Sequence, residues 1–274
     1  MTLPKVPTRI LLGAAILALL VGVALLSFVW TPAPPARLAI PFKLQPPLAH
    51  GLLGTDQLGR DVLSLLMVGA RNSLGVALAA VALGGAAGTL LGTAVAAAPG
   101  RLDGLVMRVC DVIFAFPPIV SAMMLGALLG AGRRTAIIAI AVFMIPVFAR
   151  VTRAAALRVW TLDYVLAARG AGKGPARITL GHVLPNIAGQ VIVLATIQLG
   201  LAILTEAGLS FLGLGAPPPA PSWGRMLADA QTYLGAAPWL AVAPGAAIAL
   251  AVLGLNLLGD GLSDHLDPRR SLRR

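Results

Sequence analysis

Asp163-Tyr-Val-Leu-Ala-Ala-Arg-Gly-Ala-Gly-Lys-Gly-Pro-Ala-Arg-Ile-Thr-Leu-Gly-His-Val-Leu-Pro-Asn186 is a polar stretch with long apolar segments on both sides. It therefore reads as a loop of a membrane protein, but its pattern is too regular for a spacer. Leu162, Val165, Leu166 and Arg169 fall at helical spacing, and Ala167-Ala168 adds strong helix formers. Gly172 and Gly174 are expected to stop that helix, and Pro175 suits the first turn of another. A short surface helix with small side chains lets a partner approach its backbone closely, as mechanical coupling between subunits requires. From the residues alone a second reading stays open, since a basic helix with an apolar side also lies on anionic headgroups. A phosphate loop is excluded: the pattern needs Gly at 167 and Ser or Thr at 174, where Ala167 and Gly174 stand.

Composition sets the class. The 274 residues are 58% hydrophobic and only 11% charged, and the mean hydropathy is +0.90. Soluble domains carry roughly 25% charged residues, so this is an integral membrane protein. The formal charge of +11 does not point to nucleic acid, because the cations sit in short segments between apolar runs and no aromatic-interleaved basic patch exists. The single cysteine, Cys110, excludes an intrachain disulfide, and His50, His182 and His265 share no metal-ligand spacing. No metal is expected.

Read in order, residues 1–9 form a tail and 10–30 a first span, long enough to cross about 30 Å of hydrocarbon. Trp30-Thr31-Pro32 does not resemble a signal-peptide cleavage site. Residues 31–70 are expected outside the membrane, extended where prolines recur. Thr55 or Asp56 is expected to cap a short helix carrying Leu58, Val62, Leu65 and Leu66. Residues 71–260 hold five further spans, at about 72–98, 109–130, 135–157, 187–206 and 238–258, and 261–274 form a second tail. Gly84, Gly88 and Gly92 lie four apart on one face, the pattern for backbone-to-backbone packing in lipid. That face suits either a helix of this chain or one of a sister subunit. Phe116-Pro117-Pro118, Pro146 and Pro244 are expected kinks. Arg150 and Arg153 are expected to snorkel to the membrane surface, and Asp111 to sit near the same end. Glu206 is expected at the outer edge of its span, in a structural role. Phe211, Trp223 and Trp239 are expected at headgroup level. Met123 and Gln198 are the candidate pathway residues, although a buried glutamine more often bonds a neighbouring helix. With both termini inside, fourteen Lys and Arg fall on the inner segments and seven on the outer ones. The positive-inside rule favours this orientation and puts residues 163–186 in the cytoplasm.

Two groups of residues carry a family resemblance. The spacing of Ala167-Ala168, Gly172 and Leu184-Pro185 resembles the coupling loop of permease subunits of binding-protein-dependent ABC importers. Gly54-Thr-Asp-Gln-Leu-Gly-Arg-Asp-Val62 is similar to a signature of the second (C-type) permease subunit of peptide and nickel importers. Gly208–Trp223 and residues 259–268 resemble the same subfamily, so the likeness covers about His50 to Arg269. In that family the loop begins Glu-Ala-Ala and docks into a groove of the ATPase subunit. Leu166 stands in the glutamate's place, so the glutamate's charge contact is not implied here. The resemblance implies an all-α protein of six transmembrane helices with the type I importer permease fold, in a bacterial inner membrane. It implies a sister permease completing a heterodimer, two ATP-binding subunits and an external substrate-binding protein. ATP and Mg belong to the partner ATPases, and this chain binds no cofactor. Asp163, Tyr164, Leu166, Ala167, Ala168, Gly172, Leu184 and Pro185 would form the coupling site, and Asp56, Arg60 and Asp61 would face external partners. Peptide is the expected cargo, with nickel or another small solute as the alternative. An ion-coupled transporter would need mid-span acids or inverted repeats, and an intramembrane enzyme a catalytic set within the spans; neither is visible.

Overall fold

The structure is a computed structural model and describes residues 8–266. Lys5 and the four C-terminal arginines, used in the charge count, lie outside the described residues. The described chain is all helical, with one isolated bridge between Thr55 and Asp61. Its helices are α1 (Thr8–Leu26), α2 (Val62–Ala97), α3 (Arg101–Ala115), α4 (Pro118–Leu129), α5 (Arg133–Trp160), α6 (Asp163–Gly170), α7 (Pro175–Ile178), α8 (Leu184–Phe211), α9 (Trp223–Ala230) and α10 (Trp239–Leu266). Among the described residues, α1, α2, α5, α10 and the rod Pro175–Phe211 are long and apolar enough to cross a membrane. α3 and α4 form the sixth candidate span, bent by 90°. The break falls at Phe116-Pro117, where proline removes a donor and forces the preceding residue to be extended.

The glycine stripe of α2 meets a helix of the same chain. A Cβ at Gly84 would strike the Ala141 carbonyl, one at Gly88 the Ile145 carbonyl, and one at Gly92 the Ala149 carbonyl. Both series advance by four residues in the same direction, so α2 and α5 run parallel with their backbones in contact. This is how small residues replace the missing hydrophobic driving force in lipid. α1 packs antiparallel on α10: a Cβ at Gly13 would lie 2.7 Å from the Gly254 carbonyl, and Gly261 abuts Ile10. Gly189 faces Leu266 and Gly259 faces Ile197, so α8 and α10 are also antiparallel. These registers put Thr8, Leu266 and α6 on one face of the bundle, and Val62, Arg133 and Trp239 on the other.

Long-range contacts correct several expectations. Asp61, not Thr55 or Asp56, is the cap, and it opens the long α2 rather than a separate short helix. Its Oδ2 accepts from Ser64 N at 2.7 Å and from Ser64 Oγ at 2.6 Å. The segment before it is folded rather than extended. Leu44 N donates to Asp56 O at 2.9 Å, Ala39 N to Leu58 O at 3.0 Å, and Thr55 N to Gln45 O at 3.1 Å. Arg150 and Arg153 have partners that the sequence did not show: Arg150 bonds Asp111, and Arg153 bonds Asp103 through both of its carboxylate oxygens. These pairs tie α3 to α5 near the α6 face, and each relieves the other group of an unpaired charge. Trp223 does not face the headgroups as an exposed anchor. It is fully buried against Gly69, with its indole N–H donating to Leu66 O at 3.2 Å. Glu206 is only 2% exposed, and its Oε1 accepts from Ser210 Oγ at 2.6 Å.

Candidate functional site

α6 forms because Asp163 sits in its first turn and Arg169 in its last, both favourable to the helix dipole, with alanines between them. Its end is a Schellman motif: Lys173 N donates to Ala168 O at 3.1 Å and Gly172 N to Arg169 O at 3.0 Å. Gly172 holds φ at +81°, the left-handed conformation this motif needs and glycine adopts freely. Gly174 has an ordinary φ of −70° and caps α7 instead, with Pro175 at its first position.

The helical spacing read from the sequence divides between two faces. Val165 and Ala168 are buried on the inner side, and Val165 packs with Val159, Ile178, Val183 and Ile187 in a small core at the ends of α5 and α8. Leu162, Tyr164 and Leu166 point outward, 43%, 44% and 50% exposed. Asp163, Ala167 and Arg169 join them on the exposed side. α6 is thus a rooted helix presenting an apolar patch with a charge at each end. Tyr164 meets the His182 ring edge-on at 6.0 Å, and Lys173 Nζ lies 3.4 Å from His182 Nε2, so the turn braces the outer face. The inward role of Val165, Ile178 and Val183 depends on contacts between helices, and only their apolar character pointed to it.

Leu184 and Pro185 do not belong to a separate loop. α7 runs through a wide π turn, Thr179–Val183, directly into α8, with Leu184 N donating to Thr179 O. In a regular α-helix Pro185 would clash with the Gly181 carbonyl, and a wide turn at that point removes the clash. Leu184 is half-buried beside the small core, and Pro185 is exposed. The hairpin is therefore continuous with a membrane-crossing rod: α5 enters it and α8 leaves it.

Elsewhere the candidates separate. Gln198 lines a cavity of about 170 Å³ with Phe114, Phe143, Met144, Leu201 and Thr205. Its buried Oε1 has no hydrogen-bond partner among the described residues. Met123 stands half-exposed on α4 and does not line that cavity. Asp56 is buried and accepts from Leu58 N, Arg60 N and Arg60 Nε at 2.9, 2.8 and 2.6 Å. Asp56, Arg60 and Asp61 thus hold the segment before α2 together. Among the described residues, no group of three or more His, Cys, Asp or Glu is placed to hold a metal ion.

Residues 84–272 match the family described as binding-protein-dependent transport system inner membrane component. The chain belongs to that family. It is 43% identical over 265 residues to the di/tripeptide transport system permease protein DppC of Pseudomonas aeruginosa, a match covering 94% of this chain and 88% of that one. It is 46% identical over 224 residues to the glutathione transport system permease protein GsiD of Escherichia coli O6:K15:H31, covering 82% and 74%. Among solved structures it resembles the MetNI methionine ABC transporter in an inward-facing conformation, with a TM-score of 0.61 and 21% identity. That match covers 72% of this chain and 93% of the other. The permease is therefore a multi-pass inner-membrane subunit of an ABC importer with the type I fold. Membership implies partner ATPases and a binding protein.

Proposed function

We propose that this permease is the C-type half of a heterodimeric pathway for di- and oligopeptides. A sister permease supplies the other half, and an external binding protein delivers the cargo. Its nearness to a di/tripeptide permease and a glutathione permease supports peptide over nickel as the substrate class. Both termini are cytoplasmic in this reading, as the two-to-one excess of cations on that side favours. The α6 hairpin then lies in the cytoplasm within reach of the ATPases, which bind the ATP and Mg.

The observation that carries the reading is the rooted α6, with Leu162, Tyr164 and Leu166 turned out and Val165 and Ala168 turned in. A force on the outer face passes through the small core into α5 and α8 as rigid rods. α5 drags α3 with it through Arg153–Asp103 and Arg150–Asp111. The 90° break between α3 and α4 lets one half move while the other stays. ATP-driven closure of the ATPases thus biases a two-state bundle between inward and outward access. Gln198 and Met123 are the pathway residues in this scheme, Gln198 offering its unpartnered amide oxygen to a peptide N–H.

Uptake of labelled dipeptide into proteoliposomes holding the four-subunit complex and its binding protein tests the proposal. ATP-dependent accumulation of dipeptide is expected. Accumulation of nickel without dipeptide uptake would overturn the substrate class.

A further inference from the structure

On the face opposite α6, α1 and α2 line a groove of about 490 Å³, within the usual range for ligand sites. Its walls are apolar: Val21, Leu25 and Phe28 come from α1 and its C-terminal turn, and Leu78 from α2. Its mouth holds two arginines. The Arg71 guanidinium lies 4.4 Å above the Phe28 ring, and Arg133 opens α5. Gly75 gives Arg133 room to reach in, since a Cβ there would lie 2.9 Å from its Nη2. Among the described residues Arg71 has no carboxylate partner. Arg133 likewise has none within ion-pair distance, and the buried Glu206 bonds Ser210 through Oε1 while its Oε2 has no hydrogen-bond partner among the described residues.

The depth of these groups decides the occupant. Phe28 lies just past the end of α1, and Arg133 starts a membrane-crossing helix, so the cations stand at headgroup level. From Arg71 to Leu78, and from Phe28 to Val21, the groove runs seven residues into the hydrocarbon, about 10 Å at 1.5 Å per residue. An apolar trough with two guanidinium groups at its mouth matches one phospholipid, acyl chain inward and phosphate outward. We propose that this groove is a binding site for a single anionic phospholipid in the leaflet opposite the coupling hairpin. Arg71 and Arg133 hold its phosphate, and α1 and α2 flank its chain. The lipid then seals the seam between α1 and the α2–α5 pair.

The test uses the assembled transport complex in nanodiscs of phosphatidylcholine with a minor fraction of phosphatidylglycerol carrying a diazirine at the acyl terminus. Irradiation is expected to label Val21, Leu25 or Leu78 well above other lipid-facing positions, and an excess of unlabelled phosphatidylglycerol to compete it away. Arg71→Gln with Arg133→Gln should lower that labelling at least fivefold, and should lower phosphatidylglycerol retained through detergent purification to the same degree. Uniform labelling of all lipid-facing helices, or unchanged retention in the double variant, would overturn the proposal. So would an unlabelled groove, which would mean that a protein helix covers it. If the double variant fails to assemble, position-specific labelling of the unmodified complex still decides the matter.

Discussion

Val165→Ala separates the root of the coupling hairpin from its docking face. Val165 has no exposed surface and packs in the small core with Ile178, Val183 and Ile187. The substitution removes two buried methyl groups, about 1.6 kcal/mol at about 0.8 per carbon. The unfilled space brings the total to about 2–3 kcal/mol, because a core tied into three helices collapses only partly. α5 and α8 are held by many other contacts along the bundle, so the loss falls mainly on local opening of α6 and α7. At about 1.4 kcal/mol per tenfold, amide exchange across residues 163–183 should accelerate roughly 30- to 150-fold. Exchange in the middle of α2 and α5 should not change. Hydrogen–deuterium exchange with mass spectrometry on the assembled complex reads this directly, and ATPase and uptake rates are measured on the same sample. A loosened root transmits less force, so hydrolysis should persist while uptake falls. Leu166→Ala is the control, since its half-exposed side chain leaves exchange unchanged and weakens docking instead. Unchanged exchange in Val165→Ala, or full uptake despite faster exchange, would refute the rooted-handle reasoning.

Other outcomes follow from the same contacts. Gly172→Val places a β-branched residue at φ +81° and should cost at least about 1–2 kcal/mol, while Gly172→Asn should cost clearly less. Exchange at Ala171–Lys173 distinguishes the two, and equal effects would argue that the turn is not strained. Gly88→Leu drives a side chain into the Ile145 carbonyl and Phe148, so the complex should lose yield and thermal stability far more than with Gly22→Leu, where nothing lies within 4 Å. Asp103→Ala alone should destabilise the complex more than Asp103→Ala with Arg153→Ala, because the single change strands a partly buried guanidinium. Equal thermal shifts in the two variants would show that the pair contributes nothing.

The sequence conveyed what depends on local chemistry. The helix over Ala167-Ala168, its stop at Gly172, the restart at Pro175 and the close-packing stripe of Gly84, Gly88 and Gly92 all need only the residue and its near neighbours. What it withheld depends on partners far along the chain. The stripe's counterpart is a row of carbonyls more than fifty residues away, and Arg153 finds Asp103 fifty residues back. Trp223 looked like an interfacial anchor because an indole suits headgroups. It is buried because Gly69 leaves a slot and Leu66 an acceptor for it. Thr55 and Asp61 are both good caps by type, and only the turn held by Asp56 and Arg60 selects Asp61. Within the hairpin, apolar spacing showed a two-sided helix, but which side was rooted required the positions of Ile178 and Val183.

The most direct measurement places a benzophenone photo-crosslinker at Leu166 in the complete transporter, with and without ATP. Capture of an ATPase subunit from that position, with a yield that changes on nucleotide binding, is the predicted result. Capture of lipid alone, or labelling of a Leu166→Cys variant by an impermeant maleimide added outside sealed cells, would contradict the central claim.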